Sequence, residues 1–557
     1  MQEVEQAIAI VVKDVFDVDV QPALVRTDEQ FGDFSCNIAM QLAKQVGKNP
    51  REVAELIAQR LPSPQSGFLK SCSVAGPGFL NITLSDDALM KLISCQPARS
   101  LEGKTVLVEY LDPNPFKEIH IGHAYSGTVG DAIASLFEVA GGSVHRVTYQ
   151  GDVGLHVAKA LFGIFSELGT ENIKDKLKAI HVEQRAEFLG RTYAAGATAY
   201  EDDEAAKRAI NERNKNVYNR SDEVQNQVYD TCKQWSLDYF DGVYARLGFT
   251  PFEKNYMEGD VASEGKALVE SHIDDGVFER SDGATVFRGD NFGLHTRVFI
   301  NSEGLPTYEA KDLGNAAQKY RDFAYDRSII ITAEEQSAYF KVMLKALEQF
   351  EPEQAQATTH IAHGMVNLST GKMSSRTGKV LRAIDVLEQV ESACAEVAAE
   401  QNNPPLLHDT ALAAMKYVFL KNRIGGDIAF DVKESVALEG NSGPYLQYAH
   451  ARARSILRKV TMPNNNDVAI EFDEQERSLA RKLSEYAEVV DRAVAELMPH
   501  HICTYLYELA QVFNRFYEKS RVIGDERQAL RLLLVQHYAD TLKKGLQMLN
   551  IPAPEKM

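Results

Sequence analysis

Two histidines bracket an Ile-Gly pair at the end of Pro113-Asn114-Pro115-Phe116-Lys117-Glu118-Ile119-His120-Ile121-Gly122-His123. The prolines and short polar residues break any regular element, and an apolar helical periodicity begins soon after. At such a turn the imidazoles lie beside unpaired backbone N–H groups and the positive end of the helix dipole, where a phosphate binds. Glycine lets a nucleotide approach the backbone closely. Hydrogen bonds from the imidazoles would stabilise charge as it moves during attack on an α-phosphate. A lone histidine is more often structural; two at one turn favour the chemical reading.

A second candidate lies far downstream, in Gly371-Lys372-Met373-Ser374-Ser375-Arg376-Thr377-Gly378-Lys379. It is small, polar and cationic, with glycines near its ends. Such a loop can bring ammonium and guanidinium groups onto a pyrophosphate leaving group. Taken alone, it reads more readily as an ordinary surface loop.

These segments need a scaffold. Thr105–Tyr110 (TVLVEY) is a short apolar strand, and the helix after the histidines carries Val129, Ile133, Leu136 and Ala140 at spacings of four, three and four before stopping at Gly141-Gly142. Val144–Tyr149 (VHRVTY) reads as the next strand. Strand, helix, strand is a βαβ unit, the opening of a doubly wound parallel sheet. The sheet resumes with Ser328–Thr332 (SIIIT), a helix bearing Tyr339, Met343, Leu347 and Phe350 on one face, and His360–Val366 (HIAHGMV). Between the halves, residues from about 165 to 285 are charged and helical in pattern, with the single tryptophan, Trp235, and read as an insertion. Residues 1 to about 85 form a small α/β region with helical patterns over Val4–Phe16 and Asn37–Leu61 and two strands around the Gly76-Pro77-Gly78 turn. Beyond about 405 the pattern is helical to Met557, with a loop at 462–467.

A length of 557 residues exceeds one hydrophobic core and predicts several domains. Acidic residues outnumber basic ones, 79 to 60, for a net charge of −19. That opposes general nucleic-acid binding but leaves room for one RNA held by local basic patches. The six cysteines, Cys36, Cys72, Cys95, Cys232, Cys394 and Cys503, lack zinc spacing, so no structural metal is expected. No apolar run is long enough to span a membrane, and Glu3 and Glu5 oppose a secretory signal, so a cytoplasmic protein is expected.

Together, His120-Ile121-Gly122-His123 and Lys372–Arg376 resemble the HIGH and KMSKS motifs of class I aminoacyl-tRNA synthetases. Within that class the chain is most similar to the arginyl-tRNA synthetases. Phe31-Gly32-Asp33 and Asn37–Ala43 resemble their added N-terminal domain, which contacts the tRNA elbow. Tyr308 and Asp312 in LPTYEAKDLGNA resemble the YxxxD arginine site; Glu109 and Asn114 resemble the ExxxPN strand end; Glu335-Gln336 falls where the family has Asp-Gln. Gly440–Arg452 (GNSGPYLQYAHAR) resembles the start of the anticodon-binding domain, and LNIPAPEKM resembles the family's C-terminus, from which a complete chain is expected.

The resemblance implies a Rossmann-like α/β catalytic domain over about 100–400, an N-terminal domain over 1–95 and an all-helical anticodon-binding domain over 405–557. It implies arginine activation by ATP, with Mg²⁺ on the phosphates, and transfer to the arginine tRNA by a monomer. Lys117, His120, His123 and Lys372 would be catalytic. His120, Gly122, His123, Lys372, Met373, Ser374 and Ser375 would bind ATP. Glu109, Asn114, Tyr308, Asp312 and Gln336 would bind arginine, and Tyr445, Tyr448 and Arg452 the tRNA. A guanidinium needs planar carboxylate partners, and a site built for that fork rejects lysine without editing.

The chain also departs from the family. Ser375 replaces the second lysine of KMSKS, a loss for which Lys117 is expected to compensate. Tyr125 stands where arginine is frequent, Tyr339 where histidine is frequent, and Asp112 where a small residue is usual. Other readings are a different HxGH nucleotidylyltransferase, a cysteinyl-type synthetase (which would show a zinc-ligand cysteine cluster) and an inactive tRNA-binding paralogue.

Overall fold

The computed structural model describes residues 2–61, 67–368, 381–400, 407–461 and 468–557. The N-terminal unit opens with α1 (Gln2–Phe16), β1 (Val25–Arg26) and β2 (Phe34–Cys36). Then follow α2 (Ile38–Val46), α3 (Pro50–Ala58), β3 (Leu69–Ala75), β4 (Phe79–Leu84) and α4 (Asp86–Ile93). Its antiparallel sheet has the order β1-β2-β4-β3. The single helix expected over 37–61 is two. Gly47 takes a left-handed conformation, and Asn49 caps a new helix with Pro50 in its first turn.

The next region begins with β5 (Thr105–Glu109), α5 (Ile121–Val139) and β6 (Ser143–Gln150). Five helices follow: α6 (Leu155–Leu168), α7 (Ile173–Lys178), α8 (Arg185–Asp202), α9 (Glu204–Asn219) and α10 (Glu223–Arg246). Then come β7 (Lys254–Met257), α11 (Glu258–Ser271), β8 (Glu279–Ser281), β9 (Ala284–Phe287) and β10 (Arg297–Ile300). The segment closes with α12 (Tyr308–Phe323), β11 (Arg327–Ala333), α13 (Ser337–Glu348), α14 (Pro352–Ala357), β12 (Thr358–His363) and β13 (Val366–Leu368). Five strands form a parallel sheet in the order β12-β11-β5-β6-β7, and β10-β9-β8 form a separate antiparallel sheet.

One expectation is corrected here. The stretch 165–285 includes β7, which pairs with β6 as the edge of the parallel sheet. Four residues, Lys-Asn-Tyr-Met, carry no apolar run by which an edge strand could be recognised. Within the helices before it, α6 and α8 cross at glycines. A Cβ on Gly163 would stand 2.0 Å from the Thr192 carbonyl oxygen, and one on Gly196 1.9 Å from that of Lys159.

The C-terminal part holds α15 (Ala383–Glu400), α16 (Leu407–Leu420), β14 (Ile428–Phe430), α17 (Val432–Ser435) and α18 (Gly443–Leu457). It ends with α19 (Glu474–Leu483), α20 (Tyr486–Glu496), α21 (His500–Lys519) and α22 (Gln528–Met548). The short β14 interrupts the expected all-helical run by pairing in parallel with β13. One continuous hydrophobic core joins α5 and the sheet to α16–α22.

Polar contacts also cross between regions. Asp33, 1% exposed, accepts from Arg477 at 2.7 Å, and Arg26 binds Glu488 at 2.9 Å. In the last turn of the chain, Asn550 donates to Asp131 of α5, while Lys416 donates to the Gly248 and Asn550 carbonyls at 2.7 and 2.9 Å.

Candidate active site

The parallel strands deliver their C-terminal ends to one edge, where open α/β sheets bind ligands. From Glu109 at the end of β5 the chain turns sharply through Leu111, Asp112 and Phe116, all with left-handed φ (79°, 45° and 69°). Such conformations cost about 1–3 kcal/mol each and persist only where surroundings enforce them. Here Phe116 is fully buried, and its N–H donates to Ser236 Oγ at 2.9 Å.

The turn ends at His120, which caps α5. His120 Nδ1 accepts from the His123 N–H at 3.3 Å, and His123 Nδ1 accepts from the His120 N–H at 3.2 Å. The rings stack with centroids 3.7 Å apart. A neutral ring whose Nδ1 accepts must carry its hydrogen on Nε2. Burial first, then the Lys117 and His363 charges, lower His120 to about 4. Burial, His120 and Lys117 hold His123 well below the usual histidine range. Both are therefore neutral Nε2–H donors at physiological pH. Gly122 makes the stack possible: a Cβ there would meet the His120 ring at 3.0 Å.

At the end of β5 lies a small cavity lined by Glu109, Asp312, Asn315 and Lys319, closed by Tyr325, Phe340 and Met343. Tyr308, Asp312, Asn315 and Lys319 follow one another at helical spacing along α12. Glu109 Oε2 accepts from Lys319 at 2.9 Å and from Asn315 at 3.0 Å. Asp312 accepts from Tyr339, and burial raises it to about 7. Next to the pocket, Lys311 pairs with buried Glu258, and Asp112 accepts from the Tyr149 N–H at 2.7 Å. Four acids, Glu109, Asp112, Glu258 and Asp312, thus face two lysines. Burial raises Glu258, and Asp112 is raised further by the Glu109 charge. Among the described residues, Tyr149 Oη and Asn315 Oδ1 have no hydrogen-bond partner although buried. Four carboxyl groups against two lysines, with Glu109 and Glu258 buried and two buried polar atoms unsatisfied, suit a cationic, multiply donating ligand.

Comparison with known proteins identifies the lineage. Residues 86–424 match the model for the class I (R) tRNA synthetase catalytic domain. Residues 2–84 match the arginyl tRNA synthetase N-terminal domain, and 446–557 the DALR anticodon binding domain. The chain belongs to the arginyl-tRNA synthetase family. Family relatives include an arginine–tRNA ligase of Shewanella putrefaciens, 32% identical, the alignment covering 95% of this chain and 94% of the relative. Another, from Porphyromonas gingivalis, is 28% identical with both chains fully covered. The arginyl-tRNA synthetase of Thermus thermophilus superposes with a TM-score of 0.81 at 26% identity over 100% of both chains. That of Plasmodium falciparum, at 20% identity, shares the fold with a TM-score of 0.79, covering 100% of this chain and 99% of the other.

Against this family background, the residues expected from sequence fall into distinct places. His120, Gly122 and His123 lie together at the head of α5, and Glu109 and Asp312 line one pocket. The Asn114 side-chain oxygen would stand 2.2 Å from a Cβ on Gly151, so it rests against that glycine. Tyr308, 57% exposed, begins α12 with the Lys311 ammonium 4.4 Å from its ring centre. Gln336 is exposed at the turn between β11 and α13. Lys372, Met373, Ser374 and Ser375 lie outside the described residues.

Far from this site, on α18, Tyr445 accepts from Asn514, Arg452 lies over the Tyr517 ring at 4.5 Å, and Tyr448 is 43% exposed. Tyr125 is buried, edge-on to His363. Sequence reasoning missed Asn315, Lys319, Glu258 and Lys311. The polar stripe 308, 312, 315, 319 was a readable signal for the first two.

Proposed function

We propose that this protein is an arginine–tRNA ligase that joins arginine to ATP and then to the 3′ end of the arginine tRNA. The observation that carries this reading is the excess of carboxyl groups over lysines at the C-terminal ends of β5 and β7, with the neutral histidine pair in the βα unit that follows β5. Asp312, held by Tyr339, and Oε1 of Glu109 receive the guanidinium, with Tyr308 as a wall at the mouth. Asn114 and Gln336 hold the substrate's amine or carboxylate.

The arginine carboxylate attacks the α-phosphorus of ATP, and the bond to pyrophosphate breaks with its electron pair leaving on the pyrophosphate. His120 and His123 donate from Nε2 to the phosphate oxygens on which charge accumulates, with Gly122 allowing close approach. Lys117 supplies positive charge, together with Lys372 and the neighbouring Met373, Ser374 and Ser375. The terminal ribose hydroxyl of the tRNA then attacks the activated carbonyl and AMP departs. Tyr445, Tyr448 and Arg452 contact the anticodon arm, Tyr448 being the most available for base stacking. Mg²⁺ is proposed to enter on the phosphates of ATP, as the family resemblance implies; among the described residues no group of three or more His, Cys, Asp or Glu is arranged to hold a metal ion.

Among the described residues no helix is long and apolar enough to cross a membrane. That it acts in the cytoplasm as a monomer is part of this proposal and rests on the family resemblance alone.

The test is arginine-dependent ATP–pyrophosphate exchange, with and without arginine tRNA. Exchange with arginine but not lysine supports the reading, and a requirement for tRNA adds that docking completes the site. A folded sample inactive under both conditions overturns it.

A further inference from the structure

The turn that carries Lys117 is held from outside the sheet, by the helices inserted after β6. Three consecutive residues have three separate anchors. The Phe116 N–H binds Ser236 of α10, and its ring lies 5.9 Å from that of Tyr229 on the same helix. The Lys117 ammonium lies 4.8 Å from the centre of the Tyr193 ring on α8. Glu118 passes Gly190, one turn before Tyr193, so closely that a Cβ there would meet its carboxylate at 3.3 Å. Gly190 and Tyr193, three apart, share one face of α8. On its other side Glu118 pairs with Arg382 at 3.2 Å.

The direction of Lys117 matters because its stem is flexible. An ammonium on four methylenes gives up about 2 kcal/mol of rotamer freedom when fixed. An aromatic face offers directional attraction of about 0.5–2 kcal/mol without neutralising the charge, as a carboxylate would. The charge stays available: after burial, it is among the causes that lower His120, His123 and His156. A phosphate bound at the head of α5 would meet a cation already aimed.

We propose that Tyr193 is a positioning residue for the first chemical step: its ring, carried by the inserted helix α8, holds the Lys117 ammonium toward the phosphates of ATP. This rests on the reading of Lys117 given above. The inserted helices are thereby part of the activation machinery, acting through one lysine.

The test is a double-mutant cycle on the full-length enzyme, reading kcat and KM in arginine- and tRNA-supplemented ATP–pyrophosphate exchange. Tyr193→Leu is expected to lower kcat about tenfold, in line with loss of one such contact, with KM for arginine unchanged. Tyr193→Phe, which keeps the ring, should remain within about twofold of the parent. Tyr193→Met preserves apolar volume without a π face and should match the leucine variant, and it serves if leucine disturbs folding. In a Lys117→Ala background, Tyr193→Leu should cost nothing more. Equal losses in both backgrounds, or a phenylalanine variant as slow as leucine, overturn the positioning role while leaving Lys117 in place. Full activity of Lys117→Ala itself overturns the reading of Lys117, and the proposal with it.

Discussion

Asp312 is a carboxylate held near neutrality by its own burial, and that has a measurable sign. Burial raises its pKa to about 7, with Tyr339 pulling in the opposite direction by donating a hydrogen bond. Below pH 7 it takes up a proton and a guanidinium loses its partner. We expect kcat/KM for arginine to fall by up to about tenfold per pH unit below 7 and to level off above it. Tyr339→Phe removes the hydrogen bond that favours the anion, so the midpoint should move upward. A profile flat from pH 6 to 8, or a midpoint indifferent to that substitution, would refute the assignment. The histidine pair adds no wave of its own in this range, because His120 titrates at about 4 and His123 is also held well below the usual value. At saturating arginine, where the bound cation stabilises the anion, kcat should accordingly depend less on pH than kcat/KM. Lys117→Ala belongs to the same scale: it should slow activation by about 10²-fold, on the order of 3 kcal/mol, in the same exchange assay.

Helices α6 and α8 touch backbone to backbone, and that crossing fixes where Tyr193 stands. Gly163 abuts the carbonyl of Thr192, the residue next to Tyr193. A methyl group there meets backbone, not a side chain able to rotate away, so Gly163→Ala must push α8 outward. The expected result is about 1–3 kcal/mol lower stability together with slower exchange at unchanged arginine KM. Gly242→Ala on α10 is the control, since a Cβ there meets nothing within 4 Å. Normal exchange in Gly163→Ala would show that α8 tolerates the shift. The central elements were legible because their signals are local. The β5–α5–β6 unit follows from apolar runs and a Gly-Gly stop, and the histidines follow from their place at its turn. The anchors of that turn were not legible. Tyr193, Gly190 and Ser236 are separated from Lys117 by more than 70 residues and carry no periodic mark. Lys319 shows the opposite case: its stripe on α12 was present, but its partner Glu109 lies 210 residues away. The edge strand β7 was lost for a third reason, being too short and polar to stand out among helices.

The N-terminal unit and the C-terminal helices are joined by buried charge. Asp33 accepts from Arg477 at 2.7 Å and from the Leu84 N–H at 2.7 Å, and Asp86 also binds Arg477. By resemblance, Phe31-Gly32-Asp33 marked a domain that touches the tRNA elbow. In the structure Phe31 is 47% exposed, whereas Asp33 turns inward to the helical domain. Asp33→Ala removes one of the two carboxylates on Arg477 and the acceptor of the Leu84 N–H, leaving Asp86 in place, a loss of about 1–3 kcal/mol. Calorimetry should then show residues 2–84 melting ahead of the rest; a single transition at the parental temperature would contradict this. A different long-range contact governs how the molecule is assembled. Asn550 reaches Asp131 of the helix that bears the histidines, closing a loop across 419 residues. Closing so large a loop costs chain entropy that grows slowly with length, but encounter between its ends must await the folding of what lies between. Helical signal should therefore return early on refolding from denaturant, and catalytic turnover late, at the pace of the final docking of residues 549–555 onto the finished halves.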